Sequence, residues 1–302
     1  MFKSKNSMSR ALVRRETTAG YLFLLPSLFF FVTFVLYPMF LCIYTSFFDS
    51  NMGKNAVDVF VGLGNYKELF QDKLFLGALK NTVIIVVVAV PTVCAFSLWV
   101  ATAIYDMKPA LTSAFRCIFY LPVVTGSVAV TVVWKWMYNN RFGVFNYLFK
   151  SLGIIDQNIN CLGDARFALW CILLILFTTS VGQPIVLYVS ALGNVDHSLV
   201  EAAQVDGANR RQVFWKIKWA QIMPTTLYIL IITTINSFQC FALIQLLTSG
   251  GPTHSTDTIM YYIYYTAFKL YRYGYGNAMG VVLMIIIAVL SAVQFKLGQQ
   301  SD

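Results

Sequence analysis

The sequence predicts an all-α polytopic membrane protein with about six transmembrane helices. Hydrophobic residues make up 58% of the 302 residues and charged residues only 12%, against about 25% charge in a typical soluble domain. The mean hydropathy is +0.67. The chain also contains six long apolar runs, and at about 1.5 Å per residue each can cross a hydrocarbon core of about 30 Å. Together these observations exclude an ordinary soluble enzyme.

The net charge of +9 does not indicate a nucleic-acid partner. The basic residues cluster at the ends of the apolar runs, where positive flanks of membrane helices are expected, and not on one basic face. Residues 1–19 form a basic tail, which we expect to lie in the cytoplasm. The apolar run that follows is too long for a signal peptide and has no cleavage pattern.

Six spans follow the tail. In chain order they are predicted at 20–45, 79–105, 115–137, 167–192, 225–247 and 277–295. They form a membrane domain over 20–297, followed by a short tail at 298–302. An even number of spans returns the C-terminus to the cytoplasm. The basic residues then favour the inside, whereas the external segments mix both signs of charge: Lys54, Lys67 and Lys73 with Asp49, Asp58, Glu68 and Asp72.

A polar segment, residues 196–224, separates the fourth and fifth apolar runs. Asp196 or Ser198 is a suitable helix N-cap, and we expect Glu201 in the first turn, where a negative charge suits the helix dipole. Gly207 permits a sharp turn with positive φ, and a second helix is expected over about 209–219. A helix–turn–helix on a membrane face suits docking of another protein better than it suits chemistry.

The pattern E-A-A-x-x-D-G-A-x-x-x-x-x-F-x-x-I, which begins at Glu201, resembles the EAA loop of permease subunits of binding-protein-dependent ABC importers. The spacing is similar to that of the carbohydrate branch, of the maltose and glycerol-phosphate type. The sequence departs at Trp219-Ala220, where the family usually has Leu-Pro. The stretches LLPSLFFFVTFVLYPM and LLTSGGPTHSTD resemble the same branch, so the likeness covers most of residues 20–297.

The resemblance implies a type I ABC importer permease core in the cell membrane of a prokaryote. It also implies a second permease that forms a heterodimer with this chain, an ABC ATPase dimer, an extracytoplasmic solute-binding protein and a sugar substrate. The EAA loop would couple the spans to the ATPase. The matching coupling residues are Glu201, Ala202, Ala203, Asp206, Gly207 and Arg210. Arg210 and Arg211 fit lipid phosphates equally well.

No residues in the sequence indicate a bound cofactor. The phosphate-binding pattern G-x-x-x-x-G-K-[ST] does not occur, so ATP and Mg²⁺ would be bound by a separate ATPase chain. His197 and His254 have no acidic residue at metal-ligand or acid–base spacing, so surface histidines are expected. The six cysteines have no metal or redox spacing, which indicates small packing residues and implies no disulfide.

Polar residues in the spans predict the solute path, because their burial in hydrocarbon is costly. Thr233, Asn236, Ser237 and Cys240 fall at helical spacings that predict one shared face, with Gln239 beside them. Hydroxyl and amide groups without a charge suit a neutral, hydroxyl-rich solute. Bonding between helices alone remains the alternative.

Two helix breaks and the resemblance add further candidates. Gln183 lies between Gly182 and Pro184, and Gly126 interrupts the third run. By resemblance to maltose-type permeases, the polar residues at sugar-contacting positions are Ser127, Thr178, Thr233 and Ser237. The external segments 139–166 and 250–276 are expected to receive the binding protein.

Three other functions are alternatives to a sugar permease. A permease of another ABC branch, for phosphate, sulfate or amino acids, shares Glu-Ala-Ala and the glycine of the loop. An autonomous secondary transporter needs ion-coupling carboxylates within the spans, but the acidic residues all fall in loops or at helix ends. A membrane enzyme needs a paired acid/base or metal set, and the sequence contains none.

Overall fold

We analysed a computed structural model of the chain, which describes residues 3–50 and 58–299. Lys54, residues 300–302 and the side chains of the basic tail lie outside the described part. Within it, five helical segments are long and apolar enough to cross a membrane, and a sixth span arises if one bent helix pair counts as a crossing. The predicted number of spans therefore fits.

The first span is one continuous helical rod. It comprises α1 (Lys3–Phe31), a π-helical stretch (Val32–Leu36) and α2 (Tyr37–Thr45). The helix begins at Lys3, so the predicted tail continues the span and is not a separate segment. The apolar part of the rod is exposed within this chain. Contact with the last span is made near the C-terminal end of the rod, where the Asn277 amide donates a hydrogen bond to Thr45 Oγ1 at 2.7 Å.

A small unit between the first two spans follows. Strands β1 (Phe48–Asp49) and β2 (Val59–Phe60) pair antiparallel, and α3 (Gly64–Gln71) packs behind them. The buried Asn65 amide donates to the carbonyl oxygens of Ser46 at 2.8 Å and Phe48 at 2.9 Å. These two bonds attach α3 to the end of the first span.

The second span, α4 (Lys73–Tyr105), begins six residues before the predicted start. Asp72 is its N-cap, and the carboxylate accepts a hydrogen bond from the Leu74 backbone at 2.8 Å. The cap satisfies an amide that the helix itself cannot pair. Capping chemistry, and not the apolar pattern, therefore sets where this helix starts.

The third span, predicted over 115–137 with an interruption at Gly126, begins at Pro109. It consists of α5 (Pro109–Val124) and α6 (Ser127–Met137), which meet at an angle of 95°. The break falls at Thr125 and Gly126, both extended, so the glycine interruption seen in the sequence is confirmed as a sharp bend. After α6 the short external helix α7 (Val144–Ser151) begins.

The fourth span is divided into α8 (Ala168–Ser180) and α9 (Gly182–Gly193). The predicted polar segment holds α10 (His197–Val205) and α11 (Arg210–Val213). A π-helical stretch (Phe214–Lys218) joins α11 to α12 (Trp219–Phe238), and α13 (Ala242–Leu247) completes the fifth span. The short helix α14 (Ile259–Tyr264) and a π-helical stretch (Tyr265–Lys269) lead to α15 (Tyr273–Gln299), the sixth span.

The core forms around α4, which packs against α9 and α12. Helix α12 also contacts α15, and α5 lies on α9. Apolar side chains fill these contacts, with Ile85, Ile172, Ile185, Ile229 and Ile244 fully buried. This arrangement places α5, α9 and α12 side by side.

The isolation predicted for His254 is wrong. His254 Nδ1 lies 2.7 Å from Asp257 Oδ2, three residues further along, and the Asp257 side chain is almost fully buried. Both residues belong to the external segment between α13 and α14. The positive φ of His254 (61°) folds this segment back, which brings the imidazole onto the carboxylate.

Candidate functional site

A polar cavity of about 170 Å³ lies where α5, the α8–α9 break and α12 meet. Its lining residues are Val123, Thr179, Ser180, Gln183, Pro184, Leu187, Ile232, Thr233 and Asn236. Hydroxyl and amide groups supply its polar atoms, and no charged side chain is among these lining residues. Such a lining can donate hydrogen bonds to a neutral solute and accept hydrogen bonds from it, because hydroxyls and amides do both.

The break between α8 and α9 shapes one wall of this cavity. A Cβ atom at Gly182 would collide with the carbonyl oxygen of Phe119 and with Val123, so only glycine lets α9 approach α5 so closely. Pro184 is tolerated because it lies in the first turn of α9, where backbone amides have no partner within the helix. Gln183 is held in the same turn, and its side chain lines the cavity.

Helix α12 supplies the opposite wall through Thr233 and Asn236. Ser237 is only 2% exposed and does not line the cavity. Helix α12 ends at Phe238, so Cys240 does not continue its face and instead lies in the apolar core, where its carbonyl accepts a hydrogen bond from Thr258 at 2.8 Å. The single helical face predicted from the spacing is therefore wrong for Cys240.

The structure brings together three of the predicted path residues, Gln183, Thr233 and Asn236. Ser127 is exposed at the start of α6, and Gln239 is exposed at the end of α12. The Thr178 hydroxyl bonds within its own helix, to the Ile175 carbonyl at 2.8 Å. None of these three lines the cavity.

Sequence reasoning missed Thr179 and Ser180, which do line the cavity. They are the last polar residues of α8 before the break at Val181. The run Thr-Thr-Ser immediately before Val-Gly-Gln-Pro was a usable signal, because residues beside a helix break inside a membrane often line a site.

A second cavity, of about 420 Å³, adjoins the first through the shared residues Gln183 and Leu187. It contains Arg116 of α5, whose Nε atom is buried without a hydrogen-bond partner among the described residues. A cation therefore lies next to the uncharged cavity, which the sequence analysis did not anticipate. Its guanidinium remains available to an acceptor from outside this chain.

The polar loop contains two capped helices joined by a tight turn. Asp196 caps α10 by accepting a hydrogen bond from the Ser198 backbone at 2.9 Å. The turn has the two bonds of a Schellman motif, from Ala208 to the Ala203 carbonyl at 2.9 Å and from Gly207 to the Gln204 carbonyl at 3.1 Å. Gly207 has a φ of 82°, as the sequence predicts.

The position predicted for Glu201 is wrong in one respect. Because α10 begins at His197, Glu201 is its fifth residue and lies in the second turn, where the helix dipole adds little. Glu201 and Ala202 are exposed, Ala203 is half-buried, and Asp206 ends the helix. Val205 is 88% exposed, although it is apolar.

The second loop helix continues directly into the fifth span. Asn209 and Gln212 form a capping box. The Asn209 backbone donates to the Gln212 side chain at 2.8 Å, and the Gln212 backbone donates to the Asn209 side chain at 2.9 Å. From Arg210 the chain stays helical through Pro224 to Phe238. The second loop helix and α12 are therefore joined without a break in helical structure.

The loop touches the other spans at few points. The two ends of the loop are joined by a hydrogen bond of 3.1 Å from the Asp196 backbone to Gln221, and the Lys218 ammonium lies 5.0 Å from the centre of the Tyr105 ring of α4. A cavity of about 370 Å³ remains between the loop and the end of α4, lined in part by His197 and Arg210. Most of the loop surface is thus left open.

Comparison with known proteins decides the family. Residues 61–299 match the family described as "Binding-protein-dependent transport system inner membrane component". The chain belongs to this family. The permease is 31% identical to the multiple sugar-binding transport system permease MsmF of Streptococcus mutans, over 94% of this chain and 96% of that protein. It is 32% identical to the lactose transport system permease LacF of Rhizobium radiobacter, over 94% of this chain and 95% of that protein.

A solved structure has the same fold. The permease superposes on a chain of a bacterial alginate ABC transporter, crystallised in complex with an alginate pentasaccharide-bound periplasmic protein, with a TM-score of 0.80. The two chains are 24% identical, and the match covers 93% of each. The predicted class, an all-α ABC importer permease with about six spans, is confirmed.

Family membership makes the permease a transport subunit of a membrane complex and not an enzyme. Among the residues that the structure describes, no group of three or more histidine, cysteine, aspartate or glutamate side chains is arranged to hold a metal ion. The polar cavity and the loop are the candidate functional surfaces.

Proposed function

We propose that the permease is the membrane-spanning subunit of an ATP-driven sugar importer and that the cavity between α5, α9 and α12 is part of the sugar path. The observation that carries the proposal is the lining of this cavity, in which Thr179, Ser180, Gln183, Thr233 and Asn236 offer hydroxyl and amide groups and no charge. Sugars present the complementary set of neutral donors and acceptors. The names of the relatives MsmF and LacF support the same substrate class over phosphate, sulfate or amino acids.

The cavity is only half of a binding site. Its volume of about 170 Å³ falls below the range of about 300–1,000 Å³ that ligand pockets usually occupy. Asn236 is exposed, and Arg116 next to the cavity has no acceptor within the described chain. A second permease, facing this one as a heterodimer, would complete the site and cover these groups.

The loop couples this path to an ATPase dimer that binds ATP and Mg²⁺. Glu201, Ala202 and the apolar Val205 form an open surface on α10, and Gly207 sets the angle to the helix that becomes α12. Closure of the ATPase would push on α10 and thereby shift α12, which carries Thr233 and Asn236. Arg210 lies beside this surface and would contact the ATPase or lipid phosphates.

The orientation follows from this coupling. The loop and both termini lie in the cytoplasm of a prokaryotic cell, and the opposite end of the molecule faces outward. A solute-binding protein would dock on the external segments 139–166 and 250–276. The exposed Tyr147 and Leu152 give the first of these segments apolar contact surface.

The path is tested by removing its hydrogen-bonding groups in the full transporter. Asn236→Leu and Gln183→Leu, reconstituted with the partner subunits, are expected to lower uptake of radiolabelled di- and trisaccharides by about tenfold each, since one hydrogen bond contributes about 0.5–1.5 kcal/mol and an unpaired sugar hydroxyl costs about 1–3 kcal/mol. Gln239→Leu, in an exposed residue outside the cavity, is the matched control and should leave uptake unchanged. Equal uptake by all three variants would contradict the assignment of the path.

A further inference from the structure

A cation lies beside the uncharged cavity. The second cavity, of about 420 Å³, is lined by Arg116, Cys117, Tyr120, Gln183, Val186 and Leu187. Gln183 and Leu187 line the first cavity as well, so the two cavities are adjacent. Among the described residues that line the two cavities, Arg116 is the one charged side chain. The second cavity by itself falls within the range of about 300–1,000 Å³ that ligand pockets occupy.

The second cavity lies on the loop side of the helix break. Gly182 lies against the Phe119 carbonyl, where α9 approaches α5. Arg116 is one turn before Phe119 in α5, and Val186 is one turn after Gly182 in α9, which runs on toward the loop at 196–224. The uncharged cavity at the break is therefore followed, in the direction of the loop, by the cavity that contains Arg116.

Arg116 has no counter-ion on the helices around it. Its Nε atom is buried and has no hydrogen-bond partner among the described residues. No aspartate or glutamate occurs in α5, α8, α9 or α12, which supply the lining of the two cavities. A buried guanidinium nitrogen that lacks an acceptor is unfavourable. An anion from outside this chain would relieve it.

A lipid phosphate does not fit this position. Helix α5 begins at Pro109 and Arg116 is its eighth residue, about 10 Å along the axis at 1.5 Å per residue. An arginine that binds headgroups extends its guanidinium to the membrane surface. Here the Nε atom is buried and the side chain lines a cavity that adjoins the proposed sugar path.

The charge balance favours one carboxylate over a phosphate. The planar guanidinium matches the two oxygens of a carboxylate and can donate to both. A phosphate monoester carries a charge of about −1.5 to −2 near neutral pH. Arg116 supplies a single positive charge, and no second cation is among the described lining residues. A carboxylate, with one negative charge, is neutralised by Arg116 alone.

We propose that the imported sugar is an acidic saccharide, in which the carboxylate of a uronic acid pairs with Arg116 and ring hydroxyls bond to Gln183 and the polar groups of the first cavity. The proposal rests on the sugar-import function proposed above and narrows its substrate class. Arg116 then determines specificity, because a neutral sugar in the same place leaves the guanidinium without an acceptor.

The first test identifies the class of solute. The complete transporter and its binding protein are reconstituted in proteoliposomes with ATP and offered an equal mixture of lactose, maltose, digalacturonate and dimannuronate. The saccharides trapped in the vesicles are identified by mass spectrometry, and we expect the uronates in about tenfold excess or more. Neutral saccharides trapped alone or in equal amount would overturn the acidic substrate while sugar import stands. Trapping of none of the four would contradict sugar import itself, and this proposal with it.

The second test assigns the carboxylate to Arg116. Arg116→Gln removes the charge and should lower the ratio of trapped uronates to neutral saccharides by about tenfold, because hydrogen bonds between charged groups are stronger than neutral ones. Arg116→Lys keeps the charge but not the planar fork, so its ratio should fall in between. Lys80→Gln is the matched control: it removes an exposed cation of α4 that lines neither cavity and should leave the ratio unchanged.

A pairing of Arg116 with the second permease would give a different result. The Arg116→Gln complex would then lose that subunit during purification, and the uptake of both classes of saccharide would fall together. Either observation would overturn the proposal, and so would an unchanged ratio in Arg116→Gln. The ratio in Arg116→Lys tests the same point in a protein that keeps its charge, should Arg116→Gln fail to assemble.

Discussion

The end of the permease that is proposed to face outward (the outer end) and the loop that is proposed to bind the ATPase, residues 196–224 (the coupling loop), are stabilised in opposite ways. At the outer end, polar side chains pair within the chain: the hydroxyls of Tyr262 and Tyr275 donate to Asp72 at 2.7 and 2.8 Å, across about two hundred residues of sequence. In the coupling loop, no ion pair joins Glu201 or Arg210 to another described residue. Both regions lie outside the apolar spans and are rich in polar residues.

The difference shows which surface has its polar side chains hydrogen-bonded within this chain. Asn81 on α4 donates to the carbonyls of Ser255 and Asp257, and Thr258 caps α14, so the external segments are attached to the spans at many points. The coupling loop instead satisfies its backbone locally, through the Asp196 cap, the glycine turn and the capping box at Asn209. Glu201, Ala202 and Val205 of this loop stay exposed within the chain.

The largest effect is expected from changes in the coupling loop. Gly207→Asp and Glu201→Lys should each lower sugar uptake by about tenfold or more while ATP hydrolysis continues, since coupling free energies are about 1–3 kcal/mol. A Cβ atom at Gly207 meets no described atom within 4 Å, so a loss of uptake there does not come from a clash within the permease and points to the contact with the ATPase.

The matched control for Gly207 is Gly207→Asn. Asparagine and aspartate both adopt positive φ more readily than most residues, so the two variants share the turn and the side-chain size and differ in charge, and uptake of Gly207→Asn should stay nearer to that of the unchanged protein. Uptake and ATP hydrolysis are compared in proteoliposomes that contain the complete transporter. Normal uptake in both Gly207→Asp and Glu201→Lys would contradict the coupling role proposed for this loop.

A smaller effect, on stability and not on coupling, is expected at the outer end. Asp72→Leu removes the acceptor of two tyrosine hydroxyls and the N-cap of α4, which should destabilise the permease by about 2–4 kcal/mol. Glu68→Leu is the comparison, because its ion pair with Arg272 is partly exposed and such pairs contribute only about 0–1 kcal/mol. Thermal unfolding of the purified permease measures both, and equal losses would contradict the account of the outer end.

The same carboxylate predicts a pH dependence. Burial alone raises the pKa of Asp72, but the hydrogen bonds from Tyr262, Tyr275 and the backbone outweigh it and leave the pKa below its ordinary value. A lowered folded-state pKa means that this stabilisation is present above about pH 4, the usual range of a carboxyl group, and is lost as the pH falls through the lowered value. The unfolding temperature of Asp72→Leu should therefore approach that of the unchanged protein in acid.

Local pattern was enough to predict much of the molecule. The apolar runs predicted the spans, Gly126 and Gly182 predicted the helix breaks, and Gly207 predicted the turn. Each of these features depends on residues that are neighbours in the chain. The start of α4 was missed by six residues because a cap at Asp72 decides it. The position of Glu201 was misjudged because the helix begins at His197.

Contacts between distant residues were not predictable in this way. The pairing of Asp72 with Tyr262 and Tyr275 needs the packed helices, and so does the meeting of Thr179, Gln183 and Asn236 in one cavity. Cys240 shows the limit of helical spacing, since the helix that would place it ends two residues earlier. The 95° bend of the third span likewise depends on what α5 and α6 pack against.

The most direct test of the central claim places a photo-reactive amino acid at Val205, which is 88% exposed on the coupling loop, and a second at Leu152, which is 63% exposed in the external segment. After irradiation of native membranes, adducts are identified by mass spectrometry. The account predicts that position 205 cross-links to an ATPase with a Walker motif and that position 152 does not. An ATPase adduct at position 152, or its absence at position 205 in membranes that transport sugar, would contradict it.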